Sequence, residues 1–186
     1  MAIASVMAVG RGATDWLLSR VVARLKDEDV RVLGALRPVA PGRSEEQCNS
    51  DLLLLPDGPV VRITQDLGSG SQACRMDAGA LEAAVGQATA RLAGQGADLV
   101  VLNKFGLSEA EGRGFRSLIG EALAQGVPVL IGVSETHRAA FETFADGMAE
   151  KLPPDEDAVL GWCRMMVDMA PAASGADPFT QKETRT

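Results

Sequence analysis

Residues with chemistry to offer fall in three places along the chain. Gly10-Arg11-Gly12-Ala13-Thr14-Asp15 joins glycines, a hydroxyl and two charges directly after an apolar run. Asn103-Lys104 follows the apolar run Leu99 to Leu102, and Glu109 comes shortly after. Cys48 and Cys74 bracket a hairpin-like stretch. A glycine-rich turn entering a helix presents bare amides and the positive end of the helix dipole, which suits an anion. A phosphate loop needs G-x-x-x-x-G-K-[ST], with the lysine on the phosphates and the hydroxyl on magnesium. Here Gly10, Gly12 and Thr14 are present, the lysine is absent, and Asp15 puts negative charge where phosphate wants positive. The segment reads either as an anion- or nucleotide-binding turn, with Arg11 supplying part of the missing charge, or as a tight strand-to-helix connection.

Lys104 at a strand end can contact a phosphate or another oxyanion. It can equally form an ion pair with Glu109 or Glu111 at the start of the next helix. Asn103 either binds a ligand or ties the loop backbone, and Glu109 either receives a ligand or favours the helix dipole. A thiol pair at a hairpin base, Cys48 with Cys74, can bind a soft metal or form a redox disulfide, and Arg75 would favour the thiolate. Two small buried hydrophobes explain the same cysteines. His137 is the only histidine, so no histidine pair exists for a metal.

The elements that must position these groups follow from periodicity. Ile3 to Val9 and Val30 to Leu36 read as strands around a first helix striped by Leu17, Leu18, Val21, Val22 and Leu25, with Thr14 as N-cap. Asp51–Leu55 and Val60–Thr64 flank Asp57-Gly58 and predict an inserted hairpin, with Cys48 opposite about Leu67. Asp77 caps a helix striped by Leu81, Ala84, Val85, Ala88 and Leu92. Leu99 to Leu102 is a buried parallel strand, and Ser108 with Glu111 forms a capping box for one helix carrying Phe115, Leu118, Ile119, Ala122 and Leu123. Gly112 and Gly114 each cost that helix about 1 kcal/mol against Ala, which implies close approach of a backbone or ligand. Pro128–Val133 is the next strand. A helix over 136–144, an edge strand at Glu150–Leu152 and a last helix opened by Pro153-Pro154-Asp155 follow. That helix turns Val159, Trp162, Cys163 and Met166 inward; Trp16 also suits helix packing. Strands alternating with helices predict a three-layer α/β fold with a mainly parallel sheet and one inserted hairpin, in a single domain over 1–170. Residues 171–186 lack periodicity and read as a disordered tail.

The 186 residues carry a formal net charge of −7, which disfavours nucleic acid as a partner. Met1 to Val9 is too short to insert in a membrane and has no charged leader. Three cysteines without CxxC spacing argue against a disulfide framework and for a reducing cytoplasm. Partners consistent with this are a small anionic ligand and a second copy or another protein.

The blocks Cys48-Asn49-Ser50-Asp51, Gly68 to Cys74-Arg75-Met76-Asp77, Asn103-Lys104-Phe105-Gly106, Glu109-Ala110 with Gly112 and Gly114, and Gly126-Val-Pro-Val-Leu130 carry a likeness. It covers about Ile3 to Phe144. On these the chain resembles bacterial domain-of-unknown-function family 2478, which is related to the thermophile-type P-loop nucleoside triphosphatases. The resemblance implies a P-loop-like fold, a nucleotide with magnesium or an oxyanion as ligand, and a link to molybdenum metabolism. The triphosphatases end the corresponding strand in Asp-Glu, which holds magnesium and activates water, where this chain has Asn103-Lys104. Without the carboxylates and the lysine, hydrolysis is expected to be weak or absent. The rival expectation is a non-catalytic adaptor or metal-handling protein working through the cysteine-flanked hairpin.

Overall fold

The computed structural model describes residues 2–38, 51–65 and 75–170. Strand β1 (Ile3–Val6) is buried throughout and leads through Gly10 and Gly12 into helix α1 (Ala13–Asp27). Strands β2 (Val32–Leu36), β3 (Asp51–Leu55) and β4 (Val60–Arg62) follow, then the two-residue strands β5 (Thr64–Gln65) and β6 (Arg75–Met76). Helix α2 (Ala78–Gln95) precedes β7 (Leu99–Phe105), the short α3 (Leu107–Ala110) and α4 (Arg116–Ala124). Strand β8 (Val129–Val133), a 3-10 turn (Glu135–His137), α5 (Arg138–Ala145), β9 (Ala149–Leu152) and α6 (Glu156–Met169) complete the order.

Seven strands pair in the order β4-β3-β2-β7-β8-β1-β9, while β5 and β6 pair separately. Strands β2, β7, β8, β1 and β9 run parallel, and the β3–β4 hairpin joins antiparallel at one edge. The uninterrupted apolar runs of β7 and β8 are what a strand covered on both faces requires. Leu99 and Val101 join the stripes of α1 and α6 on one face, and Val100 and Leu102 join those of α2, α4 and α5 on the other. This is the three-layer α/β arrangement that the alternation of elements implies. Asp77 and Asp155 cap α2 and α6, accepting from Ala80 N–H at 3.0 Å and Ala158 N–H at 2.9 Å.

Several local expectations are corrected. Strand β1 stops at Val6, and Val9 is 96% exposed. Gly12, not Thr14, is the N-cap of α1, its φ of 73° lying where glycine alone is unstrained. Leu53 stands opposite Val60, where an Asp57-Gly58 turn would set it opposite Arg62, because the hairpin closes on bonds between Leu54 and Gly58 and Pro59. The helix expected from Ser108 onward is two helices, separated by Gly112 and Gly114 at φ 85° and 61°. Its capping residue is not Ser108, and the carboxylate that closes its first turn is Glu109, not Glu111. Trp16 is half exposed, with the Arg20 guanidinium 4.8 Å from its ring centroid. Residues 48, 74 and 171–186 lie outside the described residues, and with them the proposed thiol pair and the tail.

Helices α1 and α6 are also tied by charge. Glu156 receives Arg20 at 2.5 Å and Arg24 at 3.5 Å, and Glu28 receives Arg164 at 2.5 Å. The hydrogen bond from Arg20 holds Glu156 below its ordinary pKa of 4.5, and that from Arg164 does the same for Glu28. A lowered folded pKa contributes stability that is complete above the unfolded value and is lost as pH falls through the folded one. Melting temperature should therefore decline as pH drops below about 4.5, and less steeply in the double variant Glu28→Gln/Glu156→Gln. Parallel melting curves for the two proteins between pH 7 and pH 3 would show the pairs contribute nothing.

Candidate functional site

After β1 the chain turns at Gly10 (φ 111°) and Gly12, and Ala13 N–H bonds back to Gly10 O at 3.3 Å. Thr14 turns its hydroxyl towards the strand end and accepts from Ala8 N–H at 2.9 Å. The first turn of α1 carries no side-chain cap. Asp15 sits 3.8 Å from Arg37, which follows β2 directly. That pair draws the end of β2 towards the Gly10 turn.

Strand β7 delivers Asn103 and Lys104 at its carboxyl end, where ligands bind in open parallel sheets. The pairing of β7 with β8 shifts register between Leu102 and Phe105. At this irregularity the Asn103 carbonyl lies over Gly132 of β8, 2.0 Å from where a β-carbon would be, with Thr14 Cγ2 at 3.0 Å from the same point. Gly132 is thus the contact through which the Gly10–Asp15 turn meets the end of β7. The Asn103 Oδ1 is buried and has no hydrogen-bond partner, and Lys104 is exposed.

Glu109 is 6% exposed and fully used by the backbone. Its Oε2 accepts from Gly106 N–H at 2.9 Å and its Oε1 from Phe115 N–H at 3.0 Å. Glu82 of α2 accepts from Gly114 N–H at 3.0 Å, so two carboxylates hold the turn between α3 and α4. Glu111 pairs with Arg113. Neither carboxylate expected to neutralise Lys104 does so, and no other acid among the described residues pairs with it.

Asn103, Lys104 and Glu109 line one cavity of about 320 Å3. Arg37, Thr64 and His137 line it too; of these the sequence singled out only His137, and only to set it aside as a metal ligand without a second histidine. The rule that strand ends face the ligand crevice selects Arg37 as readily as Lys104. Thr64 and His137 had no such signal. Gly10, Arg11, Gly12, Thr14 and Asp15 are not part of the lining, so turn and cavity adjoin through Arg37 and Gly132 rather than merge. His137 shares a hydrogen bond with Ser134 Oγ, 3.1 Å from its Nδ1. Among the described residues no cluster of three or more His, Cys, Asp or Glu could hold a metal ion.

The sequence profile described as "Protein of unknown function (DUF2478)" matches residues 3–162. The chain belongs to this family. Its three-layer α/β fold is like that of a solved nucleoside triphosphatase. The solution structure of a human cancer-related nucleoside triphosphatase matches it with a TM-score of 0.55, over 90% of this chain and 96% of that one, at 17% identity. A curated relative, the molybdenum import ATP-binding protein ModC 2 of Bradyrhizobium diazoefficiens, is 32% identical over 162 residues. The match takes in 87% of this chain and 18% of that relative's length. Among the described residues no helix is long and apolar enough to cross a membrane.

The third cysteine, Cys163, is wholly buried on α6, and burial pushes its thiol up to about 12. The thiolate is the reactive form, so Cys163 should resist a thiol reagent in the native protein and react fully in denaturant. Rapid native labelling of Cys163, read by peptide mass, would contradict its placement.

Proposed function

We propose that this family member is a cytoplasmic binding protein for a small anionic ligand, a nucleotide or an oxyanion, on a P-loop-like frame with weak or absent hydrolysis. One observation carries the reading: Lys104 stands over a cavity at the carboxyl end of β7 while the acids nearest in sequence are engaged elsewhere. An unneutralised ammonium at a strand end attracts anions. The donors at the turn do not fit a magnesium-bound phosphate group. Thr14 Oγ1 already accepts from Ala8, Asp15 faces Arg37, and β7 ends in an amide and an ammonium instead of carboxylates. The likeness to part of a molybdenum import protein supports molybdate as one anion to try.

Titration calorimetry with phosphate, molybdate and ATP tests this. Lys104→Ala should weaken whichever anion binds by about 1.5–3 kcal/mol, roughly 10- to 150-fold, with little change in melting temperature. Unchanged anion affinity in that variant, or robust magnesium-dependent ATP turnover by the purified protein, would refute the reading.

A further inference from the structure

The cavity beside Lys104 takes a second cation from the neighbouring strand. Strands β2 and β7 run parallel, and Ala35 with Leu102 is their last pair in register. Arg37 and Lys104 each stand two residues beyond that pair, and all four residues line the cavity. Neighbouring strands lie about 4.8 Å apart, so adjacent strand ends deliver two like charges to one space. Like charges so placed repel, and an anion between them turns the repulsion into attraction. The acids of the lining are committed elsewhere. Asp51 pairs with Arg62 at 3.4 Å, and Glu109 accepts from the Gly106 and Phe115 amides. His137, the remaining titratable group of the lining, shares its hydrogen bond with Ser134.

Arg37 is held more loosely than these. Its Nη1 lies 3.8 Å from Asp15 Oδ2, an ion pair too long for a hydrogen bond. Asp15 is not part of the lining, so the guanidinium stands between an acid outside the cavity and the space within it. A guanidinium presents five N–H donors in a flat fork, which suits a carboxylate and a tetrahedral oxyanion alike. Asp15 and an anion in the cavity would therefore compete for one cation.

We propose that Arg37 and Lys104 together bind an oxyanion of two or more negative charges, and that Asp15 is the built-in competitor for Arg37. The proposal rests on the anion-binding reading above. It adds a second cation, a charge class and a residue that opposes binding.

Titration calorimetry with sulfate, molybdate and nitrate near neutral pH tests it, each variant first shown to melt cooperatively. The two dianions should bind at least about tenfold more tightly than the nitrate monoanion. Arg37→Gln should weaken the dianions at least about tenfold. Asp15→Asn should tighten them by about two- to fivefold, the scale of one half-exposed ion pair. In the Arg37→Gln background the same Asp15→Asn change should have no effect. That arm separates competition for Arg37 from a general loss of negative charge, which would tighten binding in both backgrounds. If Lys104→Ala weakens the dianions and Arg37→Gln does not, the second cation is overturned while the anion reading survives. Equal tightening by Asp15→Asn in both backgrounds, or none in either, overturns the competition, and nitrate binding as tightly as sulfate overturns the charge class. If Arg37→Gln weakens the dianions but Lys104→Ala does not, the anion reading centred on Lys104 falls, and the cation pair with it. No binding of either dianion at millimolar concentration overturns both.

Discussion

Gly132→Ala should lower the melting temperature by about 6–12 °C, the equivalent of roughly 3 kcal/mol in a chain of this size. The new methyl would sit 2.0 Å from the Asn103 carbonyl oxygen, 3.1 Å from its carbon and 3.0 Å from Thr14 Cγ2. Two of these three atoms are backbone, so no rotamer change relieves the clash. Thr14 cannot easily retreat either, because its hydroxyl holds Ala8 N–H. Either β7 and β8 separate at their carboxyl ends or the Asn103 peptide rotates, and both disturb the site as well as the sheet. Gly86→Ala in α2 is the matched control, since nothing lies within 4 Å of its β-carbon position. Removing that glycine's freedom from the unfolded chain should stabilise by about 0.4–1 kcal/mol. Equal melting temperatures for Gly132→Ala and the unsubstituted protein would mean the strands are not as close as described.

Glu109→Ala should cost about 2–4 kcal/mol in urea unfolding, from one buried and one half-buried N–H donor left without acceptors, the buried one at about 1–3 kcal/mol and the other at about 1 kcal/mol. Those donors are Gly106 and Phe115, at the two ends of the loop that α3 fills. Glu109→Gln keeps one oxygen acceptor and should lose about half as much. Native hydrogen exchange provides a local readout. The Phe115 amide should lose its protection in the Ala variant, while amides of α6 change only with global stability. Equal losses for Gln and Ala, or a loss below about 1 kcal/mol for both, would show that the carboxylate does not organise the turn.

The parts of the fold visible in sequence were those decided locally. The apolar runs of β7 and β8, the stripe of α2 and the caps Asp77 and Asp155 each depend on residues a few positions apart. What sequence reading missed was decided at a distance. The break between α3 and α4 depends on Glu82, 32 residues away in the chain, accepting from Gly114. A helical stripe looks continuous across such a break because Phe115, Leu118 and Ile119 still face the core. Those two glycines signalled a constraint, but their periodicity could not say that the constraint was a turn. The hairpin register went astray because bonds from Leu54 to Gly58 and Pro59, not the Asp-Gly pair by itself, set the closure. At the site, the strand-end rule finds Asn103 and Lys104 from sequence. Thr64 is invisible there, because only tertiary packing brings it beside the same cavity.

The position of β1 bears on how this protein reaches its native state at all. Its only strand neighbours are β8 and β9, with Ile3 paired to Val129 and to Ala149. The first strand made thus enters the interior of the sheet between two of the last. At ribosomal rates of about 5–20 residues per second, it waits roughly 6–25 s before its first partner has been synthesised. Meanwhile Ile3, Ala4 and Val6 have no strand to pair with and form an edge open to foreign strands. The pairing that completes the sheet is therefore among the most nonlocal in the molecule, which predicts slow folding and a long-lived, aggregation-exposed nascent chain. Docking of β1 should be the late event that joins the Gly10 turn to the β7 end.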